Sequence, residues 1–265
     1  MKLIDFHTHI YPEAIADKAT QAVRDFYEME QGGVHGTAEF LLEQGKAAGV
    51  DEFVVLPVAL NPKQVRKINQ NIVDEVARHP EFHGFGTVHA AMESMEEELE
   101  FVEKSGLLGI KIHPDTQLFN IDDERLFPMY EFIQGKMPIM MHTGDPRYDY
   151  SHPRRLVRVL ENFPKLEVIG AHFGGWGVQS MAYDLLKDKN CWVDLSSSRQ
   201  FMSEADFLKY IDLYGADRVL YGTDFPLWDP KEEADFFFRL PLSDRDREKI
   251  AYQNAERILN KGCKN

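Results

Sequence analysis

Short apolar runs recur along the chain, separated by stretches in which apolar residues follow helical spacing. Each run is nearly continuous in apolar or β-branched residues, which is typical of parallel strands covered by helices on one face and by a barrel interior on the other. The eight runs are Leu3 to Phe6, Phe53 to Leu56, Phe82 to Val88, Leu107 to Ile112, Pro138 to Met141, Leu166 to Ala171, Cys191 to Leu195 and Arg218 to Tyr221. We therefore predict alternating strands and helices over the whole length.

Side-chain signals mark where two of the intervening helices begin. Thr37 is a predicted N-cap before a helix over 38–48, and Gly49 is its predicted end. Ser94 with Glu97 matches a capping box at the start of a later helix.

The alternation is compatible with a barrel or with a doubly wound sheet. Eight strand–helix units in 265 residues favour a (β/α)₈ TIM barrel of the α/β class, and we predict one domain over residues 1–265.

Two segments depart from the regular plan. The interval from Tyr11 to Asp51 has room for two helices with the turn Gly32 to Gly36 between them, and Phe225 to Pro230 is rich in proline and aromatic residues. Both are candidates for substrate contact at the mouth.

Composition narrows the choice of partner and compartment. A net charge of −14, from 44 acidic and 30 basic residues, argues against a nucleic-acid-binding surface and favours a small-molecule substrate. The two cysteines, Cys191 and Cys263, form no disulfide framework and fit a reducing compartment. The sequence has neither a signal-peptide pattern nor an apolar run near the ~20 residues of a membrane span. We expect a cytoplasmic protein without membrane or nucleic-acid partners, and the sequence leaves a homo-oligomer open.

Histidines at strand ends give the strongest chemical signal. His7 and His9 follow the first run two residues apart, so an extended strand points both to one side. His142 and His172 directly follow later runs, and Asp224 lies three residues after Tyr221, the end of the last run. Any one of these histidines would more often be a core or loop residue, but the C-terminal ends of barrel strands converge on the mouth, where barrel enzymes place catalytic groups. Three imidazoles and a carboxylate suit Zn²⁺ or a similar divalent ion with a position left for water.

Four motifs resemble those of a known family. They are Asp5 to His9, Met141 to Gly144, Ala171 to Gly175, and Tyr221 to Pro226. As a set they resemble the amidohydrolase superfamily, and within it the branch that includes aminocarboxymuconate-semialdehyde and resorcylate decarboxylases.

Carried over position by position, the resemblance implies one metal ion, most simply Zn²⁺, bound by His7, His9, His142 and Asp224. It also implies that His172 is a base or orienting group beside the bound water, which makes His172 and Asp224 the predicted catalytic pair.

The fourth strand leaves the number of metal ions open. Lys111 and His113 share one face of this strand. The resemblance implies that Lys111, if carboxylated, bridges two ions. Alternatively, Lys111 pairs with Asp224 or receives a substrate carboxylate.

Three further residues are candidates for substrate binding. Arg199, after the seventh strand, and Arg147 could each clamp a carboxylate through two hydrogen bonds, and Trp176 could wall the pocket. The alternatives are solvated loop arginines and a tryptophan that packs its own loop.

These residues favour metal-assisted hydrolysis of a small, carboxylate-bearing substrate, in which the metal acidifies its bound water. A non-oxidative decarboxylase using the same site is the alternative. A metal-binding barrel without catalytic activity is the third hypothesis.

Overall fold

The structure is a computed structural model that describes residues 1–29 and 35–262. Residues 32–34 of the predicted glycine-rich turn therefore lie outside the described residues. The strands of the described part are β1 Ile4–Thr8, β2 Glu52–Val55, β3 Phe82–Gly84, β4 Gly86–Thr87, β5 Ile110–Ile112, β6 Pro138–Met141, β7 Glu167–Gly170, β8 Trp192–Asp194 and β9 Val219–Leu220.

Helices follow the strands as predicted. They are α1 Ala16–Phe26, α2 Ala38–Ala48, α3 Val65–Arg78, α4 Met95–Lys104, α5 Pro114–Gln117, α6 Phe127–Ile133, α7 Pro153–Asn162, α8 Gln179–Leu186, α9 Glu204–Tyr214, α10 Pro230–Arg239, α11 Asp244–Glu248 and α12 Asn254–Gly262, with a π-helical turn at Lys249–Gln253. Short 3₁₀ turns lie at Glu13–Ile15, Pro62–Gln64, Glu124–Leu126, Arg199–Phe201 and Ala216–Arg218. In the described part of the chain, no helix is both long and apolar enough to cross a membrane.

The strands form a TIM barrel in which every paired strand is parallel to its neighbour. One sheet has the order β1-β2-β3 and the other runs from β4 to β9 in sequence order. The last strand meets the first through a hydrogen bond of 2.9 Å from Phe6 N to Tyr221 O, and a bridge between Thr8 and Phe225 continues this contact. The predicted fold is confirmed.

The predicted strand over 82–88 is corrected, because it is broken at Phe85. Phe85 N donates to Val55 O, whereas Gly86 N donates to Gly109 O, so the chain changes hydrogen-bonding neighbours at this point. A Cβ on Gly84 would lie 2.7 Å from a methyl of Ile72, so α3 approaches closely enough here to require glycine.

Two apolar clusters support the barrel. The inner one contains Ile4, Phe6, Val54, Leu56, Phe85, Met140, Ile169, Ala171 and Leu220, joined by Ala255, Ile258 and Leu259 of α12. The larger one packs the strands against the helices. Since α12 packs into the inner cluster below, the C-terminal ends of the strands are left to form the site.

The predicted helix ends are only partly correct. Thr37 Oγ1 accepts a hydrogen bond from Phe40 N, and Gly49 ends α2 in a left-handed conformation with φ of 76°. Ser94 precedes α4, but its side chain makes no capping hydrogen bond, so the predicted capping box is wrong.

Candidate metal centre

Three of the predicted metal ligands converge at the end of β1. His7 Nε2 lies 3.2 Å from His9 Nε2 and 3.4 Å from Asp224 Oδ1, and His9 Nε2 lies 3.3 Å from the same oxygen. The pairing of β1 with β2 shifts register between Asp5 and Thr8, directly around His7. Two imidazole nitrogens and a carboxylate oxygen facing each other at these distances are a suitable donor set for a divalent ion.

The fourth predicted ligand lies beside a different partner. His142 Nδ1 is 3.1 Å from Nε2 of His172, and both side chains are buried. His142 is not part of the cluster that His7, His9 and Asp224 form within 4.8 Å. The site therefore consists of a three-atom cluster and a neighbouring pair of imidazoles.

In three of these histidines, the second ring nitrogen, Nδ1, lies within hydrogen-bonding distance of an acceptor. His7 Nδ1 lies 3.0 Å from Asp194 Oδ2, His9 Nδ1 lies 2.6 Å from the carbonyl oxygen of Leu56, and His172 Nδ1 lies 2.9 Å from the carbonyl oxygen of Ser196. An acceptor at Nδ1 keeps the proton there and leaves Nε2 as a lone pair for a metal. Each of the three imidazoles is thus oriented for ligation.

Lys111 and His113 also border the site. Lys111 is completely buried, with Nζ 3.2 Å from His7 Nε2. His113 stacks on His142 with ring centroids 4.0 Å apart, and its Nε2 lies 2.7 Å from the hydroxyl of Tyr27. The lysine is therefore placed beside the metal cluster, whereas His113 is engaged by its neighbours.

Burial sets the protonation states of the candidate ligands. Burial and the nearby Lys111 lower the pKa of His7 to about 3, and burial also lowers the pKa of His142 and His172. For Asp224, burial opposes ionisation, but His7 and its neighbours hold the pKa well below its usual value. Neutral imidazoles and an ionised carboxylate are the forms that bind a metal without losing a proton, so these residues fit a divalent ion.

Backbone geometry indicates that the site is held under strain. His172 and Asp224 have φ angles of 61° and 64°, which are uncommon for residues other than glycine. Such conformations persist where the surrounding structure fixes them. One such restraint is Asp5, whose carboxylate accepts hydrogen bonds from the amide and the hydroxyl of Thr223, next to Asp224.

A cavity of about 1370 Å³ opens above these residues. Its floor includes the histidines, Lys111 and Asp224, and most of its wall is apolar. Helix α1 contributes Val23 and Phe26, and the segment after β9 contributes Pro226 and Leu227. The two segments that depart from the regular barrel plan thus shape the cavity.

The three predicted substrate-binding residues lie outside the lining of this cavity. Arg147 pairs with Asp145 and donates to the carbonyl oxygen of Phe26. Trp176 packs on Tyr27 and Phe201, with ring centroids 4.8 and 4.9 Å away. Arg199 forms a salt bridge of 2.6 Å with Glu233. Their substrate role stays a prediction.

Sequence reasoning missed two carboxylates of this site. Asp194 ends β8 and contacts His7, and Asp115 follows β5 with Oδ2 3.6 Å from His142 Nε2. Asp194 carried the same signal as Asp224, a carboxylate at a strand end. Asp115 lay two residues beyond His113, inside a short helix, and gave no such signal.

Comparison with known proteins places the chain in a family. The amidohydrolase family model matches residues 4–261, so the protein belongs to that family. The resemblance inferred from the four motifs is confirmed.

Individual relatives are more distant. The γ-resorcylate decarboxylase of Polaromonas sp. (strain JS666 / ATCC BAA-500) is 23% identical, over 73% of this chain and 75% of the relative. A TIM-barrel protein from Bordetella bronchiseptica superposes with a TM-score of 0.84 at 23% identity over the full length of both chains. A dihydroxybenzoic acid decarboxylase from Polaromonas sp. JS666, solved with manganese and 2-nitroresorcinol, has a TM-score of 0.74 at 17% identity, over 98% of this chain and 97% of the other.

Proposed function

We propose that this protein is a metal-dependent, non-oxidative decarboxylase of hydroxybenzoate-type aromatic carboxylates. The observation that carries the proposal is the position of the three-atom cluster and Lys111 on the floor of a largely apolar cavity. A planar ring suits the apolar wall and a carboxylate suits the cationic floor. The decarboxylases similar to this chain support this choice over hydrolysis, which the sequence alone placed first.

His7, His9 and Asp224 would hold the ion, with His142 and His172 beside it. A bound divalent ion would supply positive charge that polarises an oxygen of the substrate. The similarity to a manganese-containing structure favours a divalent ion in general, and the prediction of Zn²⁺ in particular remains open.

Lys111 provides a second positive charge. Burial lowers its pKa to about 8, against the opposing effect of Asp224 and Asp194, and a bound cation would lower this pKa further. An ammonium buried beside the metal cluster would bind a substrate carboxylate in a region of low dielectric constant, where the attraction is strong. This role competes with a carboxylated, metal-bridging lysine.

Decarboxylation breaks the bond between the ring and the carboxylate carbon, and the ring carbon must receive one proton. Solvent water would supply this proton, and the neutral His172 and ionised Asp224, the titratable pair at the cavity floor, would relay it. Because both belong to one cluster of interacting groups, the proton is assigned to the pair and not to either residue.

The test uses 2,6-dihydroxybenzoate and 5-carboxyvanillate labelled with ¹³C in the carboxyl group, with metal-loaded protein in D₂O. The proposal predicts ¹³CO₂ and one deuterium on the ring carbon that carried the carboxylate. Aryl esters, amides and lactones of similar size are assayed in parallel. Hydrolysis of these compounds without CO₂ release from either acid would contradict the proposal in favour of the hydrolase.

A further inference from the structure

Two hydrogen bonds through Ser197 connect the loop after β8 with the loop after β9. Trp228 Nε1 donates to Ser197 Oγ over 2.7 Å, and Ser197 Oγ donates to Asp224 Oδ2. Ser197 is almost completely buried, and the Trp228 side chain is half-buried. Because Asp224 belongs to the candidate metal cluster, an indole outside this cluster is connected to a ligand inside it.

The direction of both hydrogen bonds follows from the groups that form them. An indole N–H can only donate, so the Ser197 oxygen must accept from Trp228. A carboxylate carries no proton at neutral pH, so Asp224 can only accept. The hydroxyl of Ser197 has one proton, and the indole occupies the opposite side of its oxygen. This proton is therefore directed at Asp224 Oδ2.

The hydroxyl gives the two oxygens of Asp224 different surroundings. Oδ1 lies 3.4 Å from His7 Nε2 and 3.3 Å from His9 Nε2, on the side of the metal cluster. Oδ2 accepts the hydrogen bond from Ser197. The carboxylate cannot rotate about its Cβ–Cγ bond without breaking this charge-assisted hydrogen bond. Oδ1 is therefore kept facing the imidazoles.

The backbone brings the members of this chain together. Ser197 and Asp224 have φ angles of 49° and 64°, and such conformations persist in residues other than glycine where surrounding contacts fix them. Leu227 N donates to the carbonyl oxygen of Asp224 over 2.9 Å, which closes the turn that leads to Trp228. Trp228 is thus returned to the loop that carries Ser197.

Trp228 lies in the segment from Phe225 to Pro230, for which the sequence suggests substrate contact. Pro226 and Leu227 do line the cavity, but among the described residues Trp228 is not part of its lining. We infer that Ser197 is a positioning residue for Asp224, and that Trp228 acts through Ser197 by fixing the direction of the hydroxyl proton. Outer partners of this kind orient the ligands of a metal ion.

The inference is tested by a double-mutant cycle in which the dissociation constant for Zn²⁺ is measured by chelator competition. Ser197→Ala should weaken Zn²⁺ binding about 10- to 100-fold, because Asp224 Oδ2 loses its partner. Trp228→Phe keeps an aromatic ring but removes the donor, so it should cause a smaller, measurable loss. Adding Trp228→Phe to Ser197→Ala should cause no further loss, since the indole acts only through the hydroxyl.

The second measurement is the indole ¹H–¹⁵N resonance of Trp228 in the metal-free protein. It is identified among the three tryptophans by its disappearance in Trp228→Phe. Ser197→Ala should move this resonance upfield and speed the exchange of the indole proton with solvent, because the hydrogen bond is lost.

Two matched variants serve as controls. Trp192→Phe removes an indole that donates to Glu167 over 3.2 Å, outside the site. Ser203→Ala removes a hydroxyl that donates to the carboxylate of Asp206 at the exposed start of α9. Both should bind Zn²⁺ as the wild type does.

Each of three results would overturn the inference: unchanged affinity in Ser197→Ala or Trp228→Phe, losses that add in the double variant, or a Trp228 resonance that does not respond to Ser197→Ala. A purely structural role for Trp228 predicts additive losses. The inference rests on the proposed metal centre but not on the proposed reaction, since neither readout needs a substrate. Failure of the decarboxylation assay would leave both measurements intact.

Discussion

Asp194, at the end of β8, contacts His7 of β1 at the candidate metal centre, with Asp194 Oδ2 3.0 Å from His7 Nδ1. Burial disfavours the Asp194 carboxylate, but His7 and its other partners hold its pKa at about 2, so it is ionised at neutral pH. The contact fixes both the position of the imidazole and the proton on Nδ1.

Asp194→Asn should therefore weaken metal binding about 10- to 100-fold, the usual effect of removing an outer partner of a ligating histidine. The amide can keep the acceptor for the backbone amides of His172 and Ser196, so the fold should survive. Chelator competition measures affinity, and thermal unfolding reports on the fold. Asp217→Asn, at an exposed carboxylate, should change neither. Wild-type affinity in Asp194→Asn would contradict this role.

His7→Ala and His9→Ala should each lower metal occupancy and abolish turnover while the protein remains folded. Both side chains lie at the mouth of the barrel, above its apolar interior. Elemental analysis after gel filtration measures occupancy. His83→Ala is the matched control, because His83 pairs with Glu52 outside the site. Full metal retention in the double variant of His7 and His9 would disprove their role as ligands.

The metal content of the variants His172→Asn and Lys111→Ala should show whether the site binds one metal ion or two. With one ion, both variants should keep about one equivalent of metal, and His172→Asn should lose about 10²- to 10⁴-fold in rate, the scale for a general acid–base group. If a carboxylated Lys111 bridges two ions, the wild type should bind two and each variant one. Metal stoichiometry beside rate, starting from fully loaded wild type, separates these outcomes.

Glu233 should make stability depend on pH. Burial raises its pKa to about 7 despite the salt bridge with Arg199. Because the folded pKa lies above the unfolded value, the folded state binds this proton more tightly. The contribution of Glu233 to the free energy of unfolding is therefore present at low pH and is lost as the pH rises towards 7. Glu233→Gln should therefore flatten the stability curve between pH 4.5 and 7 by about 1 to 3 kcal/mol. An unchanged curve in urea unfolding would refute the raised pKa.

The fold was readable from the sequence because parallel strands buried on both faces form unbroken apolar runs at regular intervals. The break at Phe85 was not, since nothing in the run from Phe82 to Val88 marks where the chain changes its hydrogen-bonding neighbours.

The candidate site was predictable to the extent that strand ends define it. His7, His9 and Asp224 meet as expected, because the ends of barrel strands converge. The contact of His142 with His172 was not predictable, since it depends on side-chain orientation beyond the strands.

The role of Arg199 was difficult to predict because its partner lies far along the chain. Arg199 is bound by Glu233, a residue of α10 that lies 34 positions further along the chain. A sequence gives no direct sign of such a pairing, so an arginine in a partly buried salt bridge and an arginine that binds substrate cannot be told apart until the partner is seen.

The most direct test of the account is the rate of ¹³CO₂ release from labelled 2,6-dihydroxybenzoate as metal-free protein is reloaded with Zn²⁺ or Mn²⁺. The account predicts no release without metal and a rate that rises with bound ion until the histidine and Asp224 site is full. CO₂ release that is unaffected by removing the metal would contradict it, as would a fully metal-loaded protein that releases no CO₂ from any hydroxybenzoate.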